Sequence, residues 1–169
     1  IGLQMKKLNI KMKIRLIDFL QLKKYSFDNK KINLINVDLN QKKAFDIISN
    51  KSNNYIEKSF DIALKILSQK VTNKFINGPI SKKFFLNKKY LGITEFISKK
   101  FKVKKNAMLI YNKNLSVCPL TTHMPIKFVS KNITKKSIFE KVELINKFYK
   151  DKLSITPKIA ILGLNPHCE

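Results

Sequence analysis

LSVCPLTTHMP (residues 115–125) and PKIAILGLNPH (157–167) are built alike: an apolar run, then a short loop that delivers a histidine beside a proline. These histidines, His123 and His167, are the only two in the chain. Between them, ITKKSIFEKVELINKFYKDKL (133–153) reads as one long helix, with Thr134 as cap and Ile138, Val142, Ile145 and Phe148 at helical spacing. The histidines lie 167 − 123 = 44 positions apart. A strand–helix–strand unit of that length brings two parallel strand ends side by side. Each histidine would then fall just past the carboxyl end of a strand, where open α/β sheets bind ligands.

Working outward, the same alternation continues toward the N-terminus. KINLINVDL (31–39) alternates apolar and polar residues and predicts a strand. SNNYIEKSFDIALKILSQK (52–70) predicts a helix with Ser52 as cap and Ile56, Phe60, Ala63, Leu64 and Leu67 on one face. KFINGPI (74–80) reads as a short strand broken at Gly78-Pro79, and SKKFFL (81–86) as a short helix. GITEFISKKF (92–101) is helical. NAMLIY (106–111) and LSVCPL read as two buried strands around the turn NKN, and PKIAILGL (157–164) as a strand of a sheet covered on both faces. Strands alternating with helices predict an α/β sandwich.

The 169 residues, 44% hydrophobic, are long enough for one domain with a core, and no repeat or linker divides residues 1–169. A net charge of +24 invites a nucleic-acid reading. Of 35 basic residues, however, only Arg15 is arginine, whereas nucleic-acid readers favour its two-pronged grip on phosphate and guanine. Lysine is spread evenly alongside 17 Asn and abundant Ile, the signature of an A/T-rich coding bias and a solvated surface. The expectation is no nucleic acid, with a mild attraction to phosphorylated small molecules. Cys118 and Cys168 stand 50 positions apart with no CxxC, which excludes a disulfide framework and fits a reduced cytoplasm. IAILGL is too short to span a bilayer, and the basic N-terminal stretch lacks a signal-peptide core, so no membrane is expected.

Neutral imidazole is the commonest protein metal ligand, and a catalytic divalent site takes about three protein ligands with one position left open. His123 and His167 supply two. Thr121, Thr122 and Asn165 are candidates to fix the imidazole tautomer or touch substrate oxygens, and Pro125 and Pro166 would stiffen the loops. The alternative is that each histidine is an ordinary loop residue. Cys168 is either a soft zinc ligand or a small packing residue. In NGPISK, Lys82 at a helix start can meet an anion; in GITE, the Thr94 hydroxyl and first-turn amides can do the same. Both stretches also read as plain turn and helix-start signals.

Taken in order, NGPISK, GITEF, LTTHMP and PKIAILGLNPHCE resemble the 4-hydroxythreonine-4-phosphate dehydrogenase family of pyridoxal-phosphate biosynthesis. The resemblance covers about residues 40–169, and TTH-x-P followed by GLNPH is its most specific part. It implies a three-layer α/β/α sandwich related to the isocitrate and isopropylmalate dehydrogenases, and a cytoplasmic homodimer. It also implies NAD and a divalent metal (Zn, Mg or Co). The implied reaction is oxidation of 4-phosphohydroxy-L-threonine with loss of CO2, the metal polarising the reacting oxygen. His123 and His167 match two of the family's three metal ligands and Thr94 a substrate-binding threonine. Ile93 stands where the family usually has histidine. That departure opens an alternative substrate of the 4-phosphothreonate type. The family's Gly/Pro-rich N-terminal loop, third metal ligand and nicotinamide-site residues have no counterpart here. The expectation is therefore the middle part of a longer dehydrogenase, inactive alone, with a truncated inactive paralogue as the alternative.

Overall fold

Sixteen residues with a clean helical stripe form the longest element of the computed structural model, which describes residues 1–28, 30–87 and 89–163. This is α2, Asn53–Ser68, and it follows α1 (Gly2–Lys7), β1 (Ile14–Leu16) and β2 (Ile32–Leu34). Three helices come after it: α3 (Ile93–Lys100), α4 (Val129–Asn132) and α5 (Lys135–Phe148). Short 3-10 turns span Phe19–Lys24, Asn50–Ser52 and Ile126–Phe128, and wider π-helical turns span Lys82–Leu86 and Tyr149–Leu153. The chain divides into two compact units, Ile1–Phe96 and Ile97–Glu169.

In the first unit, β1 and β2 pair in parallel, with Ile14, Arg15 and Leu16 opposite Ile32, Asn33 and Leu34. Parallel strands need a crossover, and here it carries the Phe19–Lys24 turn. Arg15, the sole arginine, staples this motif. Its Nε donates to Asn33 Oδ1 at 2.8 Å, a terminal nitrogen donates to the Ser26 carbonyl at 2.7 Å, and its guanidinium lies 5.6 Å from the Tyr25 ring centroid. A planar fork makes those contacts at once; an ammonium cannot.

The core of this unit is aromatic. Phe60 of α2 packs edge-on against Phe75 and Phe96, with centroids 5.7 and 5.1 Å away, and stacks with Phe85 at 5.9 Å. Phe85 and Tyr90 also meet Phe96 edge-on. The buried apolar residues are Leu22, Phe60, Leu64, Leu86 and Phe96. Of the stripe predicted for α2, Phe60 and Leu64 are buried and Ile56, Ala63 and Leu67 are half-buried.

In the second unit, α5 begins with a reciprocal cap. Ser137 N donates to Thr134 Oγ1 at 3.1 Å, and Thr134 N donates to Ser137 Oγ at 3.0 Å. Thr134→Ala removes one acceptor from the helix start, so the urea midpoint should fall by the equivalent of about 1 kcal/mol. An unchanged midpoint would show that the cap does not support the fold. Side-chain ties then fix α5 locally: Glu140 pairs with Lys105 at 3.3 Å, Lys141 donates to the Asn106 carbonyl, and Tyr149 donates to Ser116 Oγ at 2.9 Å. No described residue of this unit is fully buried.

Several sequence expectations need correction. NAMLIY and LSVCPL form no buried strands. They meet in one antiparallel bridge, Ile110 with Val117, whose side chains are well exposed. The NKN turn is present, held by Asn112 and Ser116. KFINGPI and residues 157–163 carry no strand ladder either. An apolar run becomes a strand only where a neighbour satisfies its amides and carbonyls, and these runs have no such neighbour among the described residues. Conversely, α1 and β1 were not predicted. The mixed helical and parallel-strand character agrees with the α/β class.

Helix ends show how the chain copes with four glycines in 169 residues. Asn9, Lys70 and Lys102 adopt left-handed backbone just after α1, α2 and α3. The next residues, Ile10, Val71 and Val103, return their amides to the carbonyls of Met5, Ile66 and Ser98. This is the closure that glycine usually permits, here made by asparagine and lysine with an apolar residue following.

Candidate functional site

His123 is the exception among the left-handed residues. Asn9, Lys70, Asn87, Lys102 and Ser154 each follow a helical segment, whereas His123, at φ 53°, follows none. Left-handed backbone costs a Cβ-bearing residue about 1–3 kcal/mol and persists only where the surroundings over-determine it. The surroundings are visible. Pro119 and Pro125 bracket the loop, and the Pro125 carbonyl accepts from Phe128 N at 2.9 Å to close the following turn. Thr121 and Thr122 are half-buried beside an exposed His123. The sequence LTTHMP therefore fixes a solvent-facing imidazole on a constrained backbone, a geometry suited to a ligand or a proton-transfer group.

His167, Asn165, Pro166 and Cys168 lie outside the described residues. Among the described residues, no group of three or more His, Cys, Asp or Glu could hold a metal ion. His123 thus offers an imidazole, a side chain of the kind metals take, with no second or third ligand grouped around it among the described residues.

Lys82, Ile93 and Thr94 belong to the first unit. Lys82 is exposed and opens the π-helical turn Lys82–Leu86, which ends in left-handed Asn87. π-helical turns are uncommon and recur at functional sites. Gly78 and Pro79 precede it, exposed and without regular structure. Ile93 and Thr94, both half-buried, are the first two residues of α3, whose first turn closes when Phe96 N donates to the Gly92 carbonyl at 3.2 Å.

Two residues around these positions were not singled out from sequence. Glu95 sits in the first turn of α3, with one buried carboxylate oxygen that has no hydrogen-bond partner among the described residues. A Cβ on Gly92 would lie 2.9 Å from that oxygen, so glycine leaves room for the carboxylate to fold over the helix start. The negative charge offsets the positive end of α3. An anion approaching here would rely on the Thr94 hydroxyl more than on the helix dipole. The second is Asn53, whose Nδ2 donates to the Phe84 carbonyl at 2.8 Å. Its signal in the sequence was only an asparagine at a helix start.

Comparison with known proteins identifies the family of the chain as a whole. The family described as pyridoxal phosphate biosynthetic protein PdxA matches residues 3–169. The 4-hydroxythreonine-4-phosphate dehydrogenase of Sulfurihydrogenibium sp. is 43% identical over 108 residues, which cover 62% of this chain and 34% of the relative. That of Aquifex aeolicus is 45% identical over 78 residues, 46% of this chain and 24% of the relative. The Neisseria meningitidis serogroup A protein of that name is 29% identical over 119 residues, 67% of this chain and 36% of the relative. The matched stretches thus span about a quarter to a third of the length of these relatives. With a match running over nearly all of its residues, the chain belongs to the PdxA family of pyridoxal phosphate biosynthetic proteins.

Proposed function

We propose that this protein contributes to an NAD-dependent, divalent-metal-assisted dehydrogenase that oxidises 4-phosphohydroxy-L-threonine on the route to pyridoxal 5′-phosphate. The observation that carries the reading is family membership across residues 3–169, with the constrained His123 loop inside the matched region. Relatives that bear the dehydrogenase name support the reaction class. The fold proposed for the whole is the three-layer α/β/α sandwich of the isocitrate and isopropylmalate dehydrogenases, working as a cytoplasmic homodimer.

His123 and His167 would hold the ion, together with a third ligand from outside this chain. When bound, it supplies Lewis-acid polarisation of the reacting oxygen. The chain's own residues do the positioning. The left-handed backbone of His123 sets where its side chain leaves the chain, which lowers part of the ordering cost of binding. Thr94 presents a hydroxyl that can donate to or accept from a substrate oxygen. Lys82 contributes a positive charge at an exposed turn. NAD, as hydride acceptor, is carried over from the family resemblance, with no residue of this chain assigned to it.

Ile93 favours a second reading. A half-buried aliphatic side chain at the first position of α3 cannot hydrogen-bond a substrate as an imidazole would. A related 4-phosphothreonate-type substrate fits that loss. The test is growth of a bacterial strain blocked at this step, given the protein's complete reading frame. Restored growth without added vitamin B6 is the expected result. Failure to grow, with the protein expressed and active on 4-phosphothreonate instead, would move the assignment to the second reading.

A further inference from the structure

We propose that Asn53 is a positioning residue for the substrate-binding segment that carries Lys82 and Thr94, an inference that rests on the substrate role proposed for Thr94. Asn53 opens α2, yet its side chain serves an element 31 positions away. It donates through Nδ2 to the carbonyl of Phe84, in the middle of the π-helical turn that begins at Lys82. The amide orientation is unambiguous, because a flipped group would set oxygen against carbonyl oxygen.

From that turn the connection runs through packed rings. Leu86, at its end, is the most buried residue of the chain, at 2% exposure. Phe85 stacks on Phe60 of α2 and meets Phe96 edge-on at 5.3 Å. Phe96 is one turn beyond Ile93 and Thr94 in α3, and its amide closes that helix's first turn on Gly92. The Lys82 turn and the Thr94 helix therefore rest on one seat. Phe60 and Asn53 hold that seat from α2, one by packing and one by hydrogen bond. Close-packed aromatic contacts transmit a shift instead of absorbing it. Releasing the Phe84 carbonyl thus displaces Thr94 as well as Lys82.

A purely structural role predicts loss of stability alone, so the test separates stability from affinity. Serine is well tolerated at a helix start but cannot span the distance to Phe84, whereas glutamine keeps the amide donor on a longer arm. Binding of 4-phosphohydroxy-L-threonine to the protein expressed from its complete reading frame is measured by calorimetry, and melting temperature is followed in parallel. Asn53→Ser should weaken binding about 3- to 10-fold, the range one neutral hydrogen bond spans, and lower the melting temperature only by what one lost hydrogen bond costs. Asn53→Gln should recover most of the loss. In a Thr94→Ala background the Asn53→Ser effect should shrink to the part carried by Lys82, because one of the two groups being positioned is gone. If Asn53→Ser leaves affinity unchanged, or weakens it equally in both backgrounds, the positioning role is wrong. If the parent protein does not bind, or Thr94→Ala loses nothing, the substrate role of Thr94 fails and this inference with it.

Discussion

Phe60→Ala should unfold the Ile1–Phe96 unit, or bring it close to unfolding, at ambient temperature. Phe60 is 4% exposed and its ring meets those of Phe75, Phe85 and Phe96. Truncation of a buried phenylalanine costs about 3–5 kcal/mol, through lost transfer energy and the cavity left behind. Aromatic pairs add about 0.5–1.5 kcal/mol each, and three are lost together. Domain stabilities are about 5–15 kcal/mol, and this unit draws on only five buried apolar side chains. The exposed Phe139, at 63% accessibility, is the internal control, since Phe139→Ala should fall within about 0.5 kcal/mol of the parent. Near-UV circular dichroism and a urea titration check both variants. Equal effects at the two positions would contradict the aromatic core described here.

His123→Ala should reduce divalent-metal affinity by more than about 100-fold in the protein expressed from its complete reading frame. Loss of a residue that merely supports a ligand costs about 10- to 100-fold, and loss of the ligand itself should exceed that. Cobalt binding followed by its visible absorption is a suitable readout. The backbone adds a second, independent expectation. At φ 53° alanine keeps the left-handed strain and glycine relieves it, so His123→Gly should be about 1 kcal/mol more stable than His123→Ala. Both variants should lose metal alike. Metal affinity untouched by either substitution would remove His123 from the site. Equal stability of the two would show that the loop is not constrained as described.

How much of this was legible in the sequence depends on the range of the forces involved. Helices α2 and α5 were readable because their apolar spacing persists over 16 and 14 residues, and α5 also because Thr134 caps its start; Ser52, expected to cap α2, makes no side-chain cap bond. Those are local signals. Strands were misread at residues 74–80, 106–111, 115–120 and 157–163, because strand formation depends on a partner that the run itself does not specify. The two strands that do pair, Ile14–Leu16 and Ile32–Leu34, have three residues each, and the first gives almost no alternation to read. The left-handed helix ends were also invisible, since asparagine and lysine there stand in for the expected glycine.

The candidate site divides along the same line. His123, Thr94 and Lys82 are candidates by residue chemistry, motif order and family resemblance. The strained backbone of His123, the folded-back carboxylate of Glu95 and the Asn53 tie to Phe84 are tertiary features, which no local pattern encodes. His167 and Asn165 remain expectations from sequence, because they lie outside the described residues.

The central claim is the reaction, and the most direct measurement is NADH formation at 340 nm. The protein from its complete reading frame is mixed with NAD, a divalent metal and 4-phosphohydroxy-L-threonine. NADH should appear with this substrate, disappear when the metal is chelated, and be absent in His123→Ala. NADH formation that survives both chelation and His123→Ala, or no formation by a folded protein that binds NAD and metal, would contradict the account.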